Sequence, residues 1–137
     1  PVERTVWVGL SGETYPDRKK GGIFGVHTEA PHIPAYLVPQ ECGCHMDTHG
    51  LTLHLSGHCL TIGKDANPFA FSAIPYTPHQ LSEARHADEL PAPCRTVVTL
   101  CGAMRGVGGI DSWGANVEEA YRIPSEQDTL FSFLFHL

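Results

Sequence analysis

Apolar and polar residues alternate with a period of two at intervals along this chain, the period of strands that bury one face. Thr5–Leu10 (TVWVGL) alternates and stops at Ser11-Gly12. Leu51–Ser56 (LTLHLS) alternates Leu with Thr and His, Gly57 interrupts, and His58–Ile62 (HCLTI) resumes. That pair predicts a meander or hairpin. Phe69–Ile74 (FAFSAI) alternates large with small side chains, and Arg95–Leu100 (RTVVTL) is rich in β-branched residues. Leu130–Leu137 (LFSFLFHL) sets aromatics two apart on one face, which predicts a strand lying on the core.

A single segment predicts a helix. Thr77 precedes Pro78 and stands three residues before Gln80, the spacing of a capping box with Pro at the first helical position. Leu81, Ala84 and Arg85 continue it as a short amphipathic set, and Pro91 limits it. Tyr15–Pro34 and Gly102–Asn116 read as ordered loops rich in Gly and Pro. Several strands, one short helix and large loops predict an antiparallel β-sandwich, with all 137 residues in one domain.

Composition sharpens this picture. Fourteen Gly and eleven Pro leave little room for long helices. A net charge of −6 with no basic run argues against a nucleic-acid partner. No apolar stretch approaches the roughly 20 residues that span a bilayer, so no membrane segment is expected. Five cysteines cannot all pair, which predicts free thiols and a reducing, cytoplasmic compartment. The chain opens at Pro1 with neither an initiator Met nor a signal peptide, which reads as processing or as a cut from something longer.

The densest cluster of reactive side chains is Cys42, Cys44, His45, Asp47 and His49, with His54, His58 and Cys59 nearby. Thiolate and imidazole are zinc ligands, but Cys-x-Cys across a Gly lacks the usual ligand spacing, and the alternative is buried thiols with surface histidines. Gly106-Val107-Gly108-Gly109 suggests a phosphate loop, yet Ile110-Asp111-Ser112-Trp113-Gly114 is no helix start, so a tight glycine turn is the reading. Trp113 stands between glycines and outside any apolar alternation. It either offers a flat platform to a sugar face, with Asp111 and Ser112 beside it, or plugs the end of the sandwich. Glycoside hydrolysis needs two carboxylates about 5–5.5 Å apart for retention, and farther for inversion. Nothing in the spacing of Glu13, Asp17, Glu41, Asp47 and Asp111 brings two of them together. No Gly-x-Ser-x-Gly elbow occurs either.

Ordered blocks across nearly the whole length carry a resemblance. Tyr15-Pro16-Asp17-Arg18 follows the first strand, and Tyr36-Leu37-Val38-Pro39-Gln40-Glu41-Cys42-Gly43 is similar to a Y-x-x-PQENG block, with Asp47 matching a following Asp. Phe71-Ser72-Ala73 and Pro75-Tyr76-Thr77 are similar to F-S-A-x-x-Y-T, and His86 with Glu89-Leu90-Pro91 to H-x-x-E-L-P. Gly106–Gly114 is similar to a GVGG-D-DSWG block. In this order the blocks resemble the last domain of the glycoside hydrolase family 2 β-galactosidases, the region also found as the small chain of two-subunit forms. Departures stand at Cys42 (usually Asn), His45 (usually Arg), Cys101 (often acidic) and Ile110 (usually Asp).

The resemblance implies a galactose-mutarotase-like supersandwich, of which this chain is a part truncated at its N-terminal side. It implies a retaining β-galactosidase whose catalytic glutamates lie on a separate barrel, so the chain alone is expected to be inactive and to carry no catalytic residue. The partners it implies are that barrel, a galactoside substrate and further copies in a homo-oligomer. It assigns Trp113 to the sugar subsite beyond galactose; Asp111, Ser112, Gly108 and Gly109 are then expected to support its loop, and Asp17-Arg18 and Glu41 to fix loops by hydrogen bonds or an ion pair rather than touch substrate. The family's magnesium and sodium ligands fall largely outside these residues, and no metal is expected here. The rival expectations are a free-standing galactoside-binding, lectin-like module and a metal or redox module on Cys42, Cys44 and His45.

Overall fold

A computed structural model of the chain describes residues 1–33 and 35–137. Among the described residues, eight strands and one α-helix follow in the order β1 (Arg4–Leu10), β2 (Phe24–Glu29), β3 (His45–Thr48), β4 (Gly50–Leu55), β5 (His58–Lys64), β6 (Phe69–Ile74), α1 (Pro78–Glu83), β7 (Val97–Cys101) and β8 (Phe133–His136). They form an antiparallel five-stranded sheet, β2-β1-β4-β5-β8, and a three-stranded sheet, β3-β6-β7. The expected antiparallel sandwich is present.

The inner faces explain the arrangement. Trp7 on β1, Leu51 and Leu53 on β4 and Ile62 on β5 meet Phe69, Phe71 and Ala73 on β6, so the main core lies between the two sheets. Fully burying each large side chain stabilises by about 1.5–3 kcal/mol. The expected hairpin is β4–β5, with Leu51 opposite Ile62 and Leu55 opposite His58. Every residue of β6 is buried, because its other face is also covered. There Ile74 joins Cys42, Tyr76 and Leu81 of α1 in a second core.

The capping box forms as the sequence implied. Gln80 N–H donates to Thr77 Oγ1 at 3.2 Å and Thr77 N–H donates to Gln80 Oε1 at 3.0 Å. The helix is shorter than its apolar set, with Ala84 as the extended C-cap and the Arg85 N–H taken by Glu89 Oε2 at 2.7 Å.

Two expectations need correction. The segment expected as a loop over Tyr15–Pro34 contains β2, which pairs with β1 from Thr5↔Glu29 to Leu10↔Phe24 (Pro34 lies outside the described residues). The predicted terminal strand is confined to Phe133–His136. Only Phe133 reaches the core there, meeting Phe69 edge-on, while Phe131 and Phe135 stay exposed. Strand β3 has no sequence periodicity to announce it. Asp47 takes φ 54° and the register shifts between His45 and Thr48. Among the described residues no helix is long and apolar enough to cross a membrane.

Candidate functional site

The loop after β7 is fastened by a turn that lies far earlier in the sequence. Arg18 N–H donates to Tyr15 C=O at 2.9 Å, which closes a tight turn. The turn aims Asp17 at the glycine run. The side chain of Asp17 is 5% exposed, and its two oxygens accept from Val107 N–H at 2.9 Å and Gly108 N–H at 2.8 Å. Arg18 lies 3.5 Å from Asp17 and donates to Gly108 C=O. Burial by itself would raise the Asp17 pKa, but these backbone donors and the Arg18 guanidinium outweigh it and hold the carboxyl below its usual range.

The glycines fit that clamp for steric reasons. A Cβ at Gly106 would lie 2.8 Å from Tyr121 Cβ and 2.9 Å from Asp17 Cγ, so any larger residue would push the carboxylate off its donors. Gly108 turns the chain with φ 70°, a conformation that L side chains rarely adopt. Gly109 repeats that angle beside it.

Beyond the glycines, Asp111 Oδ1 accepts from Trp113 N–H at 2.9 Å and from Ala115 N–H at 3.1 Å. The carboxylate thus folds the tip over itself, in the manner of an Asx turn. Asp111, Ser112 and Gly109 are exposed, and Trp113 at the tip is 91% exposed. Of the two orientations open for this ring, the structure takes the outward one. Behind the tip Val117 is buried, and its carbonyl accepts from Arg122 Nε at 2.6 Å.

The other acidic candidates are engaged separately. Glu13 accepts from the Tyr15 hydroxyl and from the Tyr36 hydroxyl, the latter at 3.0 Å. Asp47 pairs with Lys19 at 2.7 Å. Glu41 is exposed beside the cavity lined by Tyr15, Cys42 and Cys44. Magnesium and sodium seek clustered oxygen donors, and these carboxylates do not supply such a cluster. Among the described residues no group of three or more His, Cys, Asp or Glu is placed to hold a metal ion.

The Cys/His cluster divides. Cys42 and Cys44 are buried free thiols, and burial pushes them up to about 11 and about 12. His45, expected at the surface, is buried between Trp7 and Phe71, with ring centroids 4.3 and 4.9 Å away. Its Nδ1 lies 2.7 Å from Gly12 C=O, which can only accept, so Nδ1 carries the proton. Burial lowers its pKa and outweighs the opposing pull of Glu29, 3.9 Å from Nε2. A cavity of about 260 Å³ opens there, lined by Glu29, His32 and His45 among others. Periodicity does not announce this cavity, because Glu29 ends an edge strand that lies between glycines and prolines.

Comparison with known proteins places this geometry. A family model described as the beta galactosidase small chain matches residues 1–135. A β-galactosidase small subunit from Latilactobacillus sakei is 50% identical over 146 residues, covering 97% of this chain and 46% of that protein. The β-galactosidase BgaC of Bifidobacterium adolescentis is 42% identical over 120 residues, covering 84% of this chain and 11% of that protein. A β-galactosidase of Halalkalibacterium halodurans is 33% identical over 135 residues, covering 96% and 13% respectively. The chain spans less than half the length of the first relative and a small part of the other two. With the ordered sequence blocks and the antiparallel sandwich, the family match assigns the chain to the β-galactosidase small-chain family.

Proposed function

We propose that this chain is the sandwich portion of a retaining β-galactosidase that hydrolyses terminal β-galactosides such as lactose, and that Trp113 forms one aromatic wall of its sugar site. The carrying observation is the outward indole at the tip of a loop clamped at both ends, by Asp17 at its base and Asp111 at its tip. A flat apolar ring held out on a fixed backbone can stack on a sugar face, and little ordering is then left to occur on binding. Gly108, Gly109, Asp111 and Ser112 shape and hold that tip, while Asp17-Arg18 anchors it. The catalytic carboxylates, the metal ions of the whole enzyme and the rest of the supersandwich belong to further polypeptide, with which this chain assembles. The names of the relatives and the separate engagement of Glu13, Asp17 and Asp47 support this division of labour.

The test is kinetic, in the assembled enzyme. Trp113→Ala should raise KM for lactose by roughly tenfold, and Trp113→Phe should restore most of the affinity. Unchanged kinetics in the Ala variant would remove Trp113 from the site. The isolated chain should not turn over an o-nitrophenyl galactoside, and turnover would overturn the division of labour. Tight calorimetric binding of lactose by the isolated chain would instead favour a free-standing galactoside-binding module.

A further inference from the structure

Both thioethers of this chain and one buried thiol converge on a place that the sugar-site reading does not use. The chain has two methionines, Met46 on β3 and Met104 after β7. Both lie against the same thiol: Cys44 Sγ is 3.9 Å from Met46 Sδ and 3.6 Å from Met104 Sδ. Cys101, at the end of β7, lines two adjoining cavities with Met104, one of about 250 Å³ that also exposes Cys42 and Cys44 and one of about 60 Å³ that also exposes Met46.

We propose that Cys44, Met46 and Met104 form a three-sulfur site for a soft monovalent cation, Cu(I), with Cys101 beside it.

The geometry and the donor chemistry agree. Three sulfurs each about 2.3 Å from a metal in their plane stand roughly 4 Å apart, close to the two separations present here. Unbranched Met side chains can make the remaining adjustment. A thiolate with two thioethers is a soft set that selects Cu(I), whereas magnesium and calcium require oxygen ligands.

The surroundings favour a cation that brings its own neutralising partner. Glu41 lines the larger cavity, and Glu13 and Glu41 both act on the Cys44 thiol in the same sense as its burial. Arg105 also lines that cavity, but its guanidinium donates to the Asn116 side chain, and Tyr15 is held by Glu13. Burial disfavours a bare thiolate there. Binding exchanges the Cys44 proton for Cu(I), so a sulfur–copper bond replaces the sulfur–hydrogen bond and a proton leaves to solvent. The resulting pair is neutral, and no oxidation state changes.

The test uses the full-length protein, reduced and anaerobic, with the exposed thiols Cys59 and Cys94 replaced by Ser. Cu(I) is partitioned between the protein and a chromogenic Cu(I) chelator. The expected result is Cu(I) drawn from the chelator, an X-ray absorption spectrum with a three-sulfur shell, and roughly tenfold or greater weakening in Met46→Leu/Met104→Leu at unchanged Tm. Cys44→Ser should abolish uptake. Should that variant fail to fold, the near-isosteric Leu pair still decides. Equal affinity in the double Leu variant, or failure to compete with the chelator, would overturn the site and leave a packing cluster only.

Discussion

Trp7 and Trp113, the two tryptophans of this chain, occupy opposite environments, the first 2% exposed and the second 91%. Trp7 lies where the two sheets meet. Its ring packs on His45 and Phe71, and its Nε1–H donates to Leu10 C=O at 3.0 Å, so burial leaves no polar atom unpaired. Trp113 has none of this support. Its position is set by backbone hydrogen bonds to Asp111 and by the Asp17 clamp, while its ring faces outward. One indole therefore serves stability, and the other is available for recognition. The same side chain takes either role according to whether its neighbours satisfy the ring or only the backbone beneath it.

Four measurements would break or sharpen that contrast, taken here from the largest expected effect to the smallest. Trp7→Ala should cost about 3–5 kcal/mol in chemical denaturation, because it opens a cavity between the sheets. A loss similar to that of a surface variant would deny Trp7 its role. Asp17→Ala should cost about 1–3 kcal/mol, because the Val107 and Gly108 N–H groups lose their charged acceptor. In this variant Trp113 should also become more mobile by time-resolved fluorescence anisotropy.

The same carboxylate sets an acid limit. Its folded-state pKa is depressed, so its contribution is complete above the unfolded value of about 4 and is lost as pH falls toward and through the lower folded value. His45 adds a second dependence of the same sign. The folded state holds it neutral, so stability should fall as pH drops below about 6.5 toward its depressed folded-state value. His45→Gln should flatten that slope in pH-resolved melting, and an unchanged slope would mean that another group titrates. Trp113→Ala should change stability by less than about 0.5 kcal/mol. It should nonetheless remove the red-shifted, iodide-quenchable part of the fluorescence, leaving the protected emission of Trp7.

Strands with clear periodicity were legible in the residues. The β4–β5 hairpin and β6 lie where alternation placed them, because each has an inner face that meets the core. The Thr77 cap was legible for a similar reason, since its hydrogen bonds close within one helical turn. Strand β2 was not, because it is a sheet edge between glycines and prolines with Phe24 and Val26 exposed. The alternation of Phe24, Val26 and Thr28 is the one local signal of this strand that the residues carry. Strand β3 had no such signal, since the left-handed Asp47 breaks the period that a strand would display. The burial of His45 was hidden as well, because the carbonyl that satisfies it belongs to Gly12, thirty-three residues earlier.

For the candidate site, the residues alone supplied the glycine-bracketed tryptophan and the ordered blocks that mark the family. They left open whether the indole turns inward or outward. That choice rests on Asp17, which meets Val107 and Gly108 across separations of 90 and 91 residues, and on the Tyr121 side chain that crowds Gly106. Local periodicity and turn chemistry act over a few residues and are written in the chain order. A carboxylate that reaches a distant loop depends on how the sheets pack, so only the folded chain reveals which face that loop presents.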